Sequence, residues 1–240
     1  MRSSVVLLAL ALCASGQAQT LIAHWTLEEI AEGVVRDVTG NGHDAQVGPE
    51  GAELPEVLPG MVGNALAFVG EKQHFLNVGA SGEFNFTGPF TVMAWVKPTR
   101  RNAAFEVLCF KGDKSGEPPW PGWRLRYFWT RAMLQLGTPD GQEPSASSPE
   151  WSVPAGFWSH IAATWDGARL RAFVNAVEEG STDFSGPIAP QPAGRSLVIG
   201  NYIGRKDAYA FDGLLDDVKV IGGALTEEQV LLEASAEPGG

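Results

Sequence analysis

Past residue 20 the chain alternates apolar and polar positions with a period of two, in short runs broken by Gly, Pro, Asn and Asp clusters. Phe90–Val96 is apolar on both faces, as a central strand would be, and Pro98 ends it. Ile161–Trp165 runs into Asp166-Gly167, a hairpin signal, and Leu170–Val174 is predicted to return antiparallel beside it. Asn175-Ala176 then marks another turn, in which Ala176 would be strained if it had to take a positive φ. Further strands are predicted at Ile22–Leu27, Ala65–Phe68, Phe75–Val78, Trp123–Phe128, Met133–Leu136, Ser196–Ile199 and Leu214–Ile221. The apolar run Phe105–Phe110 lies between Phe90–Val96 and the first of two loop-like stretches, Lys111–Pro121 and Thr138–Pro154. Near the end, Thr226 with Gln229 forms a capping-box pattern ahead of Val230-Leu231-Leu232, which predicts one short helix. Many short strands and a single terminal helix make the chain all-β, a two-sheet antiparallel β-sandwich.

Composition narrows this further. Hydrophobic residues make up 44% and charged residues 19%, enough apolar content for a packed core, and 240 residues fit one all-β domain. With 17 Lys+Arg against 28 Asp+Glu the net charge is −11, which argues against a nucleic-acid partner because phosphate contacts need clustered cations. Residues 1–18 read as a signal peptide: Arg2, the apolar stretch Val5–Ala14, and the small-x-small site Gly16-Gln17-Ala18. The stretch is too short to span a bilayer, no later segment serves as a transmembrane one, and Leu12 before Cys13 argues against a lipid anchor. A single domain over 19–240, secreted or periplasmic, is the expectation. Cys109 is then the only cysteine, so no internal disulfide can form, and it reads as a small buried hydrophobe.

Several stretches, in order, resemble one family. They are Asp37-Val38-Thr39-Gly40-Asn41-Gly42-His43-Asp44, Gly63-Asn64-Ala65-Leu66-Ala67-Phe68, Phe90–Pro98, Gly156-Phe157-Trp158-Ser159-His160 with Ile161–Gly167, and Phe211-Asp212-Gly213-Leu214-Leu215-Asp216-Asp217-Val218. Together they resemble the laminin-G-like members of the concanavalin A-like lectin/glucanase superfamily. Thr39 and Asn175-Ala176 depart from the family's usual Ser and Asp-Gly. The resemblance implies a jelly roll that binds glycans or proteins, although this sandwich hosts lectins, adhesion modules and glycosidases alike.

Two constellations bear on chemistry. Leu214, Asp216, Val218 and Val220 are expected to share one face, apolar except for Asp216, so that carboxylate needs a partner or a metal. The turn Asp37–Asp44 offers the Asp37 and Asn41 side chains and the His43 carbonyl, hard oxygen ligands that suit Ca2+. The resemblance implies that Asp37 and Asp216 meet around one structural ion. The alternative is a turn in which Asp37 binds backbone amides and Asp216 does likewise, without metal. Trp25, Trp95, Trp158 and Trp165 are expected in the core. Trp120, Trp129 and Trp151 occupy loop-like positions and, with Tyr127, form a candidate platform for the apolar face of a sugar ring, or else fold back over a sheet edge. Arg124, Arg126 and Arg131 punctuate the same region and suit an acidic sugar or simply a solvated face.

An enzyme is not expected. The adjacent acids Glu28-Glu29, Asp216-Asp217 and Glu227-Glu228 lack the alternation that sets two glycosidase carboxyls about 5 Å apart. His24, His43, His74 and His160 show no metalloprotease spacing, and Gly79-Ala80-Ser81-Gly82-Glu83 lacks the final glycine of a nucleophile elbow. Asn85-Phe86-Thr87 is an N-glycosylation acceptor in a eukaryotic host. The chain therefore reads as a non-catalytic, calcium-stabilised glycan-binding module, or alternatively as an extracellular adhesion or protein-interaction module.

Overall fold

The computed structural model describes residues 19–101, 103–111, 120–202 and 209–235, the side chains of Cys109 and Lys111 excepted. The expected leader, most of the loop Lys111–Pro121 and the Cys109 side chain lie outside the described residues. In chain order the first strands are β1 (Thr20–Trp25), β2 (Val34–Val35), β3 (Ala45–Gly48), β4 (Glu56–Pro59), β5 (Asn64–Phe68), β6 (Phe75–Gly79), β7 (Phe90–Pro98) and β8 (Ala104–Lys111). They continue as β9 (Gly122–Phe128), β10 (Ala132–Leu136), β11 (Ser145–Ser147), β12 (Ser159–Trp165) and β13 (Arg169–Val174). The last are β14 (Val177–Asp183), β15 (Leu197–Ile199) and β16 (Gly213–Gly222), ahead of the helix α1 (Glu227–Ala234).

Two antiparallel sheets form the sandwich. The first runs β14-β13-β12-β7-β16-β5-β4, with β1 also paired to β16; the second runs β11-β10-β9-β8-β15-β6-β3-β2. Their facing sides bury Trp25, Phe68, Phe90, Phe110, Trp123 and Tyr127, each at most 2% exposed. Phe86 and Phe90 stack at 4.3 Å, and Trp123 lies 5.6 Å from both. Each such ring contributes roughly 1.5–3 kcal/mol by leaving water, and together they hold the two sheets face to face. A smaller cluster of Met93, Ala162, Phe173, Ile221 and Val230 fixes α1 to the outer face of the first sheet. Thr226 caps that helix as its sequence predicts, its hydroxyl accepting from Gln229 N–H while Gln229 Oε1 accepts from Thr226 N–H.

Four expectations need correction. First, Leu214, Asp216, Val218 and Val220 do not share a face: a bulge between Asp216 and Lys219, with Asp217 at φ +48°, resets the alternation. Leu215, Val218 and Val220 pack in the core, and Asp216 faces outward beside Trp95. Second, Trp95 and Trp158 are half-buried and lie outside the main core, which Trp25 and Trp165 do join. Third, the loop-like stretch Thr138–Pro154 contains β11, whose three residues Ser145-Ala146-Ser147 pair with β10. Fourth, the turn after β13 opens onto an unpredicted strand, β14, which carries Glu178, Glu179 and Asp183 and has no apolar alternation because it is an exposed edge. Ala176 does adopt the positive φ, +67°, beside Asn175 at +49°.

Candidate functional site

The hairpin between β9 and β10 closes in two residues. Phe128 N–H donates to Arg131 O at 2.9 Å and Arg131 N–H to Phe128 O at 3.1 Å, leaving Trp129 at φ +52° and Thr130 at +65°. This left-handed geometry suits Asn-Gly and is unusual for an indole-bearing residue. Trp129 is 50% exposed. Thr130 is buried, and its hydroxyl accepts Trp151 N–H at 2.8 Å while its carbonyl accepts Val153 N–H at 2.9 Å. Trp151 has φ +73° and is 58% exposed. The two loop tryptophans, 22 positions apart in sequence, are thus tied through one threonine.

Beside Trp129 lies a groove of about 470 Å³ lined by Phe128, Trp129, Arg131, Met133, Ser147 and Glu150; Trp151 follows Glu150 but does not line it. Arg131 Nη2 stands 3.3 Å from Glu150 Oε2. The Arg101 guanidinium sits 5.8 Å from the centre of the Trp151 ring, and that of Arg126 4.9 Å from Phe128. An apolar floor, an exposed indole and a few polar groups make a surface that can hold an amphipathic ligand.

Tyr127 is corrected from surface to core: it is fully buried, its ring stacked 5.8 Å from Phe105, because residues alternate along β9 and Tyr127 points inward with Trp123 and Leu125. Burial raises its hydroxyl pKa. Trp120 is half-buried and precedes the opposite end of β9 from Trp129, a strand length of roughly 20 Å at about 3.3 Å per residue, so it joins no common platform. Arg124 and Arg126 project outward from β9 but are buried, each with one guanidinium nitrogen 3.3 Å from Glu106 Oε1. Arg124 also donates through Nε to Gln135 Oε1 at 2.8 Å. Glu106 is fully buried, and sequence gave no sign of it because it sits inside an apolar run.

Of the four residues expected around calcium, Asp37, Asn41 and His43 share one turn, while Asp216 is held elsewhere by other partners. Asp37 accepts from the backbone N–H groups of His24 (3.0 Å), Thr39 (3.1 Å) and His43 (3.3 Å) and from the Thr39 hydroxyl (2.7 Å). Burial works to raise its pKa, but these donors prevail and hold the carboxyl below its usual range. Asn41 donates to Ile22 O at 2.8 Å, and the His43 carbonyl accepts from Trp25 Nε1 at 2.8 Å. Asp216 instead accepts from Met61 and Val62 N–H, at 2.8 and 2.9 Å. Among the described residues no group of three or more His, Cys, Asp or Glu side chains is arranged to hold a metal ion. The donors are spent on turns, and the four residues do not fit a single calcium site.

A second polar row lies on the outer face of the first sheet. Asp216, Trp95 and His160 stand in register on β16, β7 and β12. Asp216 Oδ1, Trp95 Nε1 and both His160 ring nitrogens are buried without a hydrogen-bond partner among the described residues. Burial, with the Asp217 and Glu28 charges against the Met61 and Val62 amides, pushes Asp216 up to about 7. Burial, then the Lys219 charge, pushes His160 down to about 4. Neighbouring Asp217 binds His24 Nε2 at 2.5 Å and Lys219 Nζ at 3.0 Å, and Lys219 also reaches Glu233 at 3.0 Å. Among the described residues no helix is long and apolar enough to cross a membrane.

Known proteins share this fold. No curated protein sequence matches the chain. Domain 4 of AbnA, an extracellular arabinanase from Geobacillus stearothermophilus solved in complex with arabinotriose, superposes with a TM-score of 0.68 at 22% identity, over 91% of this chain and 100% of that one. The ligand-binding domain of botulinum neurotoxin serotype D, in complex with N-acetylneuraminic acid, gives 0.62 at 13% identity, over 89% of this chain and 50% of that one. The binding domain of Paraclostridial Mosquitocidal Protein 1 gives 0.60 at 13%, over 89% and 51%. At these identities the likeness is one of fold, a jelly roll. A laminin-G-like family model described as the concanavalin A-like lectin/glucanase superfamily matches residues 71–231, and the chain belongs to that superfamily.

Proposed function

We propose that the chain is an exported, non-catalytic carbohydrate-binding module whose ligand lies on the corner formed by Trp129 and Trp151. The observation that carries this reading is the exposed Trp129 at the rim of a groove with an apolar floor, tied through Thr130 to the backbone of a second exposed tryptophan, Trp151. An indole offers a broad flat apolar surface at little entropic cost, and Arg131, Ser147 and Glu150 supply groups that read hydroxyls. The fold neighbours named for arabinotriose and N-acetylneuraminic acid complexes favour a sugar over other amphipathic ligands. A binding role suits the acids as well: Asp216 is buried against backbone amides and Asp217 is tied to His24 and Lys219, and neither lines the groove beside Trp129. Export is supported by the Arg2 and Val5–Ala14 pattern.

A protein-binding role draws instead on Phe157 and Leu232, each 67% exposed. Glycan microarray binding by the purified chain, followed by depletion on insoluble polysaccharides, separates the two. Retention on a defined glycan class supports the proposal; a chain retained on none of them is not a carbohydrate-binding module.

A further inference from the structure

We propose that the Trp129–Trp151 corner takes an uncharged glycan and that its left-handed backbone is retained to present the two indoles to it. This rests on the carbohydrate reading and adds to it the class of sugar and the reason for an unfavourable turn.

Charge selects the class. The groove lining contains one cation, Arg131, and one anion, Glu150, and they face each other at 3.3 Å. The remaining lining residues, Phe128, Trp129, Met133 and Ser147, are neutral. Arg101 is directed over the Trp151 ring. The groove lining therefore offers a carboxylate ligand no unmatched cation, the Arg101 charge lying outside it over the Trp151 indole, and a chain of net charge −11 repels polyanions at longer range. An uncharged pyranose or furanose meets no such penalty: its apolar face lies on indole and on the Phe128 and Met133 floor, and its hydroxyls meet Ser147 and the Arg131–Glu150 pair.

Backbone geometry indicates that the indoles serve a purpose. Trp129, Thr130 and Trp151 all have positive φ, between +52° and +73°, and lie in contact through Thr130. A left-handed conformation is unfavourable for an L-residue with a side chain, and glycine would remove that cost. An indole at such a position is justified structurally when it covers apolar surface, yet these two rings remain half or more exposed. Strain combined with exposure, at both residues of a linked pair, is the pattern of a binding surface rather than of a packing device.

Isothermal titration calorimetry on the intact chain tests this, with oligosaccharides of linear arabinan, xylan and mixed-linkage β-glucan as neutral probes and oligogalacturonate and oligoalginate as acidic ones. At least one neutral probe is expected to bind and the acidic ones are not, with Trp129→Ala and Trp151→Ala each weakening binding tenfold or more. Trp129→Gly should lose binding as Trp129→Ala does, yet melt a few degrees higher than Trp129→Ala, because only glycine relieves the turn. Preference for an acidic probe overturns the charge argument, and unchanged affinity in Trp129→Ala overturns the site while leaving a carbohydrate-binding function in place. A glycine variant no more stable than the alanine one overturns the strain argument. Failure of the wild type to bind any glycan removes both this inference and the reading beneath it.

Discussion

The Thr130 hydroxyl accepts the backbone N–H of Trp151 at 2.8 Å, so a residue in the turn after one strand sets the course of a loop that is remote in sequence. Thr130→Val keeps the branched shape and removes the acceptor, leaving Trp151 N–H without its partner. The expected loss is about 1–3 kcal/mol of stability, together with weaker glycan binding. Thr130→Ser should restore both, as read by thermal melting and calorimetry on the same samples. A valine variant with full affinity would show that the two indoles do not need this tie.

Glu106 serves two guanidiniums, Arg124 and Arg126, at 3.3 Å each, on a part of the second sheet where all three side chains are buried. Removing one member of a buried charge group costs about 3–5 kcal/mol. Glu106→Gln is expected at the lower end of that range, since the amide oxygen still accepts. The urea midpoint at neutral pH checks it, and a midpoint equal to wild type would show that Glu106 is not what balances the arginines.

Calcium dependence gives a sharp contrast between the two readings of the Asp37 turn. With the Asp37 oxygens occupied by His24, Thr39 and His43 donors, melting temperatures in calcium and in chelator should coincide. Asp37→Ala should lower both equally, by roughly 2 kcal/mol for the hydrogen bonds to a charged acceptor that it removes. A calcium-dependent rise that disappears in Asp37→Ala would instead establish an ion at the turn.

The outer-face row predicts opposite pH responses from two neighbours. Asp216 is raised from 3.8 to about 7, so the folded state holds its proton longer than the unfolded state, and stability falls as pH rises from 4 to 7. His160 is lowered from 6.5 to about 4, so the unfolded state takes the proton first, and stability falls as pH drops from 6.5 to 4. Each effect is on the order of 3–5 kcal/mol at about 1.4 kcal/mol per pH unit, the larger for Asp216. Asp216→Asn should therefore gain on the wild type as pH rises through this window, and His160→Gln as it falls. Melting curves from pH 4 to 8 test both, and parallel profiles for all three proteins would refute the assignment.

The strands with clear alternation were legible in sequence, as were the Thr226–Gln229 cap and the strained Ala176, because each depends on spacing within a few residues. What escaped either carries no alternation of its own or interrupts one. β14 is strand only because β13 lies beside it. The bulge at Asp217 turned a sound period-two argument the wrong way for Asp216, since one extra residue exchanges the faces of everything that follows. Trp129 and Trp151 were visible as loop tryptophans, but Thr130, which joins them, looks in sequence like any turn residue. Tyr127 lies inside the predicted strand Trp123–Phe128, and its alternation with Trp123 and Leu125 turns its ring inward; nearness to Trp129 in sequence is no guide to the face a strand residue takes.

β16 lies between β7 and β5 and also pairs with β1, yet it is the last strand among the described residues. The middle of the first sheet is thus made after everything it joins. Until Gly213–Gly222 has been synthesised, β1, β5 and β7 each present an open edge to one another and to any other unpaired strand nearby. Truncation ahead of Gly213 leaves β14-β13-β12-β7, β5-β4 and an unpaired β1 rather than a smaller sandwich, so the first sheet closes at its centre only once this late strand has been made.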